Sequence, residues 1–350
     1  MDFANHKNGR RPPSTRYRGS KAKLLNWIWS HLQLLEFESA LDGCGGTASV
    51  SYLLKSHGKQ VTYNDNLKFN YHVGHALIAN SRVRLTDEDL KFLLTKHRGI
   101  KYDDFVTRTF RGVYFTKQEN EWLDMVIQNI QHLRGPFKKS VAYFALFQAC
   151  LIKRPYNLFH RKNLYMRLAN VERSFGNKTT WDTPFEQHFK RFVYEINEAV
   201  FDSGVVCQAI NYDALEITDD YDLVYLDAPY ISEKGQMDDY LWMYHFLEGL
   251  VDYASWSERI DFSQKHRPFQ KERPSWKDEK QILQFFREIL AHFRKSTLVL
   301  SYRNDGLPTE RELVKLMKQF KKKVRVVHYG EYQYALSSNG HSKEILIIGE

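Results

Sequence analysis

Asp227, Ala228, Pro229 and Tyr230 follow directly on the apolar run LVYL at 223–226. A run of that kind reads as a buried central strand, and ligands of open α/β sheets gather outside the carboxyl ends of such strands. The Asp227 carboxylate and the main-chain carbonyl of Ala228 would form a pair of acceptors there. Such a pair suits an amine whose lone pair is delocalised into an aromatic ring. That amine is a poor nucleophile until acceptors draw on its hydrogens and stabilise the positive charge developing on nitrogen. Pro229 would stiffen the turn that aims the carbonyl, and Tyr230 would stack on the flat ring carrying the amine. The same four residues also fit a plain strand end followed by a proline turn, so their surroundings decide between the two.

The elements needed to position the tetrapeptide can be read along the chain. In KAKLLNWIWSHL, Leu24, Leu25, Ile28 and Leu32 recur at helical spacing, so a helix leads into a first strand around Ser39 to Asp42. The turn-prone run GCGGTAS follows, then a helix in VSYLLKSHG closed by Gly58, then a second strand in QVTYNDN. Strand, glycine turn, helix and a second strand ending in an acid open a doubly wound nucleotide-binding fold. Between about 67 and 203 the patterns turn helical, as in TKQENEWLDMVIQNIQHL, where Thr116 and Glu119 form a capping box ahead of Trp122, Val126 and Ile130. Strands resume with VVCQAI, DLVYLDAPY, TLVLSYR, VRVVHY and EILIIGE, and Thr309 with Glu312 starts a further helix. The expected architecture is a discontinuous α/β domain, 15–66 and 204–350, holding a mainly helical insertion, 67–203, behind a flexible basic arm, 1–14. A polar excursion from about 231 to 277 has no structure assignable from its pattern.

Composition narrows the class. The chain has 350 residues, 43% hydrophobic and 27% charged, as ordinary globular proteins do. No run of about 18 apolar residues exists and no apolar signal core opens the chain, so no membrane contact and a cytoplasmic location are expected. Cys44, Cys150 and Cys207 lack the paired spacing of zinc sites, and the fourteen histidines are scattered, so no metal site is expected. A net charge of +9 favours a polyanionic partner.

Several of these segments together resemble the DNA adenine methyltransferases related to the Dam enzymes, whose catalytic motif is usually DPPY. RYRGSKAKLL is similar to the family's cofactor segment, which implies that Tyr17, Gly19 and Lys21 hold the methionine end of S-adenosylmethionine. ALDGCGGTASVS resembles the donor loop, with Asp42 at its acidic position and Gly46 at its first glycine. Asp65 stands where the ribose-hydroxyl acceptor belongs, and Asp213 in INYDALE where the donor's adenine amine is bound. SYRNDGLP and YQYALSSNGHSKEILIIGE resemble the segments that close the sheet. The resemblance implies a Rossmann-like methyltransferase fold, a mixed and mostly parallel sheet, with the insertion as target-recognition domain. It implies methyl transfer to the N6 amine of an adenine flipped from double-stranded DNA. A sulfonium donor is already activated, so the transfer needs no metal. Three departures stand out: Cys44 for phenylalanine, Ala48 for the second glycine and Ala228 for the first proline. The first two leave open an alternative, a weak or inactive methyltransferase-fold module that binds DNA.

Within the insertion, KRPYNLFHRKNLYMR mixes bases, amides and aromatics, the set suited to phosphate contacts and base-edge hydrogen bonds. Arg154, Asn157, Arg161, Asn163 and Arg167 are its candidate DNA contacts, and Asn157, Arg161 and Asn163 match a spacing found in the recognition segment of the Dam relatives. Tyr156, Phe159 and Tyr165 could equally be core aromatics beside a solvated basic edge. A cognate restriction or defence system is a further possible partner.

Overall fold

The computed structural model describes residues 12–170, 178–228, 230–232, 239–270, 279–330 and 343–350. The strands are β1 (Ser39–Asp42), β2 (Gln60–Asn64), β3 (Gln208–Ile210), β4 (Leu223–Leu226), β5 (Ile231–Ser232), β6 (Thr297–Arg303), β7 (Gly306–Leu307), β8 (Val324–His328) and β9 (Glu344–Gly349). Seven of them form one sheet in the order β3-β2-β1-β4-β6-β9-β8, and β5 pairs with β7 beside it. The first five in that order run parallel, while β9 is antiparallel to both β6 and β8. From β1 the chain proceeds outward to β2 on one side, and β4 lies on the other. The crevice at that reversal is where open α/β sheets bind ligands. Register brings the strand tips level, with Asp42 opposite both Tyr63 and Tyr225.

Side chains alternate across the sheet, as a strand's two-residue period requires. Leu223 and Tyr225 enter an apolar layer shared with the helices that precede β3 in sequence, and Val224 and Leu226 enter the opposite layer with Phe286, Ile289 and Met317. The first layer continues without a break into the helices Lys117–His132, Pro136–Ile152 and Phe185–Ala199. Both capping boxes read in the sequence are present, Thr116 with Glu119 and Thr309 with Glu312. Gly58, at φ +76°, follows the helix Ser49–Ser56 as its closing residue.

The stretch read as a polar excursion holds a surprise. Its residues Tyr240–Val251 form a helix in which every position from Met243 to Leu250 is buried. A helix packed on nearly all sides shows no apolar stripe, which is why periodicity did not expose it. Phe246 at its centre meets Phe110, Tyr114, Phe115, Phe159 and Trp256, all within 5.6 Å between ring centroids.

Candidate active site

The loop after β1 is held between its two neighbouring strands. Gly43 N–H donates to the Tyr225 carbonyl (2.9 Å) and Gly45 N–H to the Asn64 carbonyl (2.8 Å). A Cβ on Gly45 would lie 2.2 Å from the Tyr63 ring, so only glycine lets loop and strand approach this closely. Gly46 (φ +48°) and Ala48 (φ +58°) both take left-handed backbone. Ala48 thus keeps the conformation a glycine would hold freely, at a cost of about 1–2 kcal/mol. The segment carrying Tyr17, Gly19 and Lys21 docks on this loop through Ser20, whose hydroxyl lies 3.2 Å from that of Thr47. Tyr17 stacks on Tyr244 and Tyr240 with centroids 4.6 and 5.5 Å away, and together with Gly46, Thr47 and Asn70 it lines a small cleft. Gly19 sits at φ +83°, and a Cβ there would fall 2.8 Å from the Tyr240 hydroxyl.

Three carboxylates stand at three adjacent strand tips. Asp42 ends β1 and accepts from the hydroxyl (2.6 Å) and N–H (3.2 Å) of Ser51. Asp65, just past β2, accepts from Gly46 N–H (3.0 Å), Leu67 N–H (2.9 Å) and the Asn70 amide (3.1 Å). Asp227, just past β4, pairs with the Lys21 ammonium at 3.0 Å, and Lys21 lies equally close to Glu344. Burial pushes Asp42 up to about 7, against the pull of the Ser51 bonds. It pushes Asp65 up to about 6 despite its three donors. Burial also raises Asp227 to about 6, with Lys21 pulling it down and Glu344 pushing it up. The Asp227 side chain still keeps 28% of its surface open, so the carboxylate remains reachable. Cys44 sits among these acids, and burial together with Asp65, Asp227, Asp42 and Asp213 holds its thiol well above the usual range.

Asp213 is exposed and caps its own short turn, accepting from Leu215 N–H (3.1 Å). Ala228 is buried beside the β4 tip, and Pro229 lies outside the described residues. Tyr230 is half-buried. Its hydroxyl accepts from Arg303 (2.9 Å), whose guanidinium is clamped in turn by both oxygens of Asp305 (2.8 and 2.6 Å).

Sequence reasoning missed Glu344, Ser301 and Arg303. Glu344 is fully buried, binds Lys21 and accepts from the Ser301 hydroxyl (2.6 Å). An acid at the head of an apolar strand was the one available signal, since a charge placed there must find a partner inside.

Three of the five candidate DNA contacts need correction. Arg154 is buried and donates to the carbonyls of Leu158 (3.1 Å), Arg161 (3.1 Å) and Tyr114 (3.4 Å) and to the Asn163 side chain, with its guanidinium over the Tyr114 ring. Asn163 is buried as its partner. Arg167 is buried too and forks onto both oxygens of Glu119 (2.6 and 3.0 Å). Burial would raise Glu119, but Arg167 and Lys153 hold it below its ordinary value. These three side chains build the segment from inside and present nothing to a ligand. Asn157 and Arg161 remain at the surface, beside exposed Tyr156, Lys162 and Tyr165, and Tyr156 (φ +63°) with Asn157 (φ +56°) makes the sharp turn that turns them outward.

A mostly parallel α/β sheet of this order, with a glycine turn after β1 and an acid just past β4, is the arrangement of a Rossmann-like methyltransferase fold. The chain belongs to the D12 class of N6 adenine-specific DNA methyltransferases, whose sequence profile matches residues 17–249. Enzymes of this class take the methyl group from S-adenosylmethionine. The chain is 30% identical over 328 residues to the Type II methyltransferase M2.HphI of Haemophilus parahaemolyticus, covering 91% of this chain and 92% of that protein. It is 22% identical over 329 residues to the Type II methyltransferase M.FokI of Planomicrobium okeanokoites, and 25% identical over 371 residues to the modification methylase StsI of Streptococcus sanguinis. It aligns with about half the length of these last two, 46% and 51%. Among the described residues no helix is long and apolar enough to cross a membrane.

Proposed function

We propose that Asp227 and the Ala228 carbonyl accept the N6 hydrogens of a target adenine turned out of duplex DNA, with Tyr230 as the ring on which the base stacks and Pro229 fixing the turn. The observation that carries this reading is the Asp227 carboxylate, accessible at the tip of β4 and level with the glycine loop after β1. The proton released as nitrogen gains its methyl group goes to the Asp227 carboxylate, which is ionised above about pH 6. Lys21 and Glu344 fix where that carboxylate points. Arg303 holds the Tyr230 ring in place through its hydroxyl.

The residues suit S-adenosylmethionine, which supplies an activated sulfonium methyl when bound. Tyr17, Gly19 and Lys21 would hold its methionine end, Asp42 and Gly46 would form the donor loop against it, Asp65 would accept from a ribose hydroxyl and Asp213 from its adenine amine. Asp65 supports this assignment: a carboxylate offers about four acceptor sites, and three donors are seen on it. A metal is not part of the proposed chemistry, because the sulfonium needs no Lewis acid. The insertion, 67–203, would serve as the target-recognition domain, reading DNA through Asn157 and Arg161. A cytoplasmic location and a cognate restriction system complete the reading, the latter because the relatives named above are Type II or modification enzymes.

Expression in a host lacking adenine methylation, with single-molecule mapping of modified bases, tests the reading. N6-methyladenine confined to one short sequence is expected, and none from Asp227→Ala. Unmodified DNA from folded wild-type protein, or modification persisting in the variant, would overturn it.

A further inference from the structure

Far along the sequence from the reading segment, residues 260–269 form a closed loop on the surface. Ile260 bridges Phe269, Asp261 N–H donates to the Pro268 carbonyl (2.8 Å) and Arg267 N–H to the Gln264 carbonyl (3.1 Å). The Tyr114 hydroxyl donates to the His266 carbonyl and anchors the loop from below, and Trp242 meets the His266 ring edge-on at 5.2 Å. Tyr114 is also the ring on which Arg154 lies. One buried tyrosine therefore fixes both this loop and the segment that presents Asn157 and Arg161.

Between them lies an open hollow lined by Arg111, Lys162, Lys265 and Arg267, together with Phe262 and Gln264. Its cations come from three separate stretches of chain, so no single charge run creates it. No ion pair to any of the four is found among the described residues. The neighbouring acid, Asp261, is turned onto its own loop and accepts from Ser263 N–H (2.9 Å) and the Gln264 amide (3.0 Å). Arg267 takes left-handed backbone (φ +53°), and its Nε is buried without a hydrogen-bond partner. Phe262 stands 56% exposed with the Arg267 guanidinium 5.1 Å from its ring centre.

We propose that this hollow is a second DNA-contact site, binding backbone phosphates of the duplex beside the segment read by Asn157 and Arg161, with Phe262 lying against the adjoining sugar. It rests on the reading that duplex DNA is the substrate. Four cations with no ion pair among the described residues suit a polyanion, and Lys162 makes the hollow continuous with exposed Arg161. Contacts of this kind carry no sequence information: they set register and strengthen binding to any duplex.

The test is the salt dependence of duplex binding by the full chain and by a double variant, Arg111→Ala with Lys265→Ala, both exposed positions. Losing two phosphate contacts lowers the slope of log affinity against log salt by about 1.8. Affinity is expected to drop by at least about tenfold at low salt, equally for target and unrelated duplexes. An unchanged slope and an affinity within twofold of wild type would overturn the proposal. Arg161→Ala, measured alongside, separates the two readings. If it removes discrimination between target and unrelated duplexes while the double variant changes nothing, the hollow alone is refuted. If wild type shows no salt-dependent DNA binding, the substrate reading fails as well. Arg111→Glu with Lys265→Glu must lower affinity further than the alanine pair, and binding equal to wild type counts against the site.

Discussion

The strand tips and the segment 153–167 both carry the residues expected to act, yet they use them oppositely. At the tips of β1, β2 and β4, Asp42, Asp65 and Asp227 stand side by side along one edge of the sheet, where burial raises all three. In the segment 153–167, Arg154, Asn163 and Arg167 turn inward and leave the surface to Asn157, Arg161 and Lys162. A sheet fixes the direction of every residue at a strand end, so position alone tells where a side chain points. An irregular segment must be built from its own side chains, and its charged residues divide between construction and contact.

Substitutions can break or sharpen that contrast. Glu119→Ala leaves Arg167 and Lys153 without their shared carboxylate and is expected to cost about 3–5 kcal/mol in chemical denaturation. A loss below about 1 kcal/mol would remove the interior role given to Arg167. Arg161→Ala, on the surface, should leave stability within about 0.5 kcal/mol while weakening binding to the target duplex by about 1–3 kcal/mol in a titration. Arg154→Met is expected to reverse the pattern, with stability falling first and DNA affinity falling only as the fold loosens.

At the strand tips the contrast can be probed by pH. Asp227 must be ionised to accept, so the methyl-transfer rate should fall as pH drops through about 6. Glu344→Gln removes a neighbouring negative charge and leaves Lys21 to Asp227 alone, both of which favour the ionised form. The acid limb of the rate profile should therefore move to lower pH, and a limb that stays in place would show that Glu344 does not act through Asp227. The smallest effect is expected at Ala48→Gly. Relief of left-handed strain, about 1–2 kcal/mol, is offset by about 0.8 kcal/mol for the buried methyl group lost. A net gain of roughly half a kcal/mol in thermal or denaturant unfolding is anticipated, and clear destabilisation would contradict the strained turn.

Much of the sheet was legible because its signals are local. The apolar run ending at Asp227, the glycine turn after Asp42 and the capping boxes at Thr116 and Thr309 each announce themselves within a few residues. What stayed hidden depends on distant partners. Glu344 matters only because Lys21 arrives beside it, and Arg154 is interior only because carbonyls from Tyr114, Leu158 and Arg161 converge on it. The helix Tyr240–Val251 was obscured by being apolar nearly all round, and the hollow beside Phe262 exists only where three segments meet.

Asp227 is the proposed acceptor for the amine. Single-turnover methylation by Asp227→Asn, with donor affinity measured separately by calorimetry, tests this most directly. The expected result is a rate reduced by about 100- to 1,000-fold or more, with the affinity for S-adenosylmethionine nearly unchanged. A rate within a few-fold of wild type would contradict it.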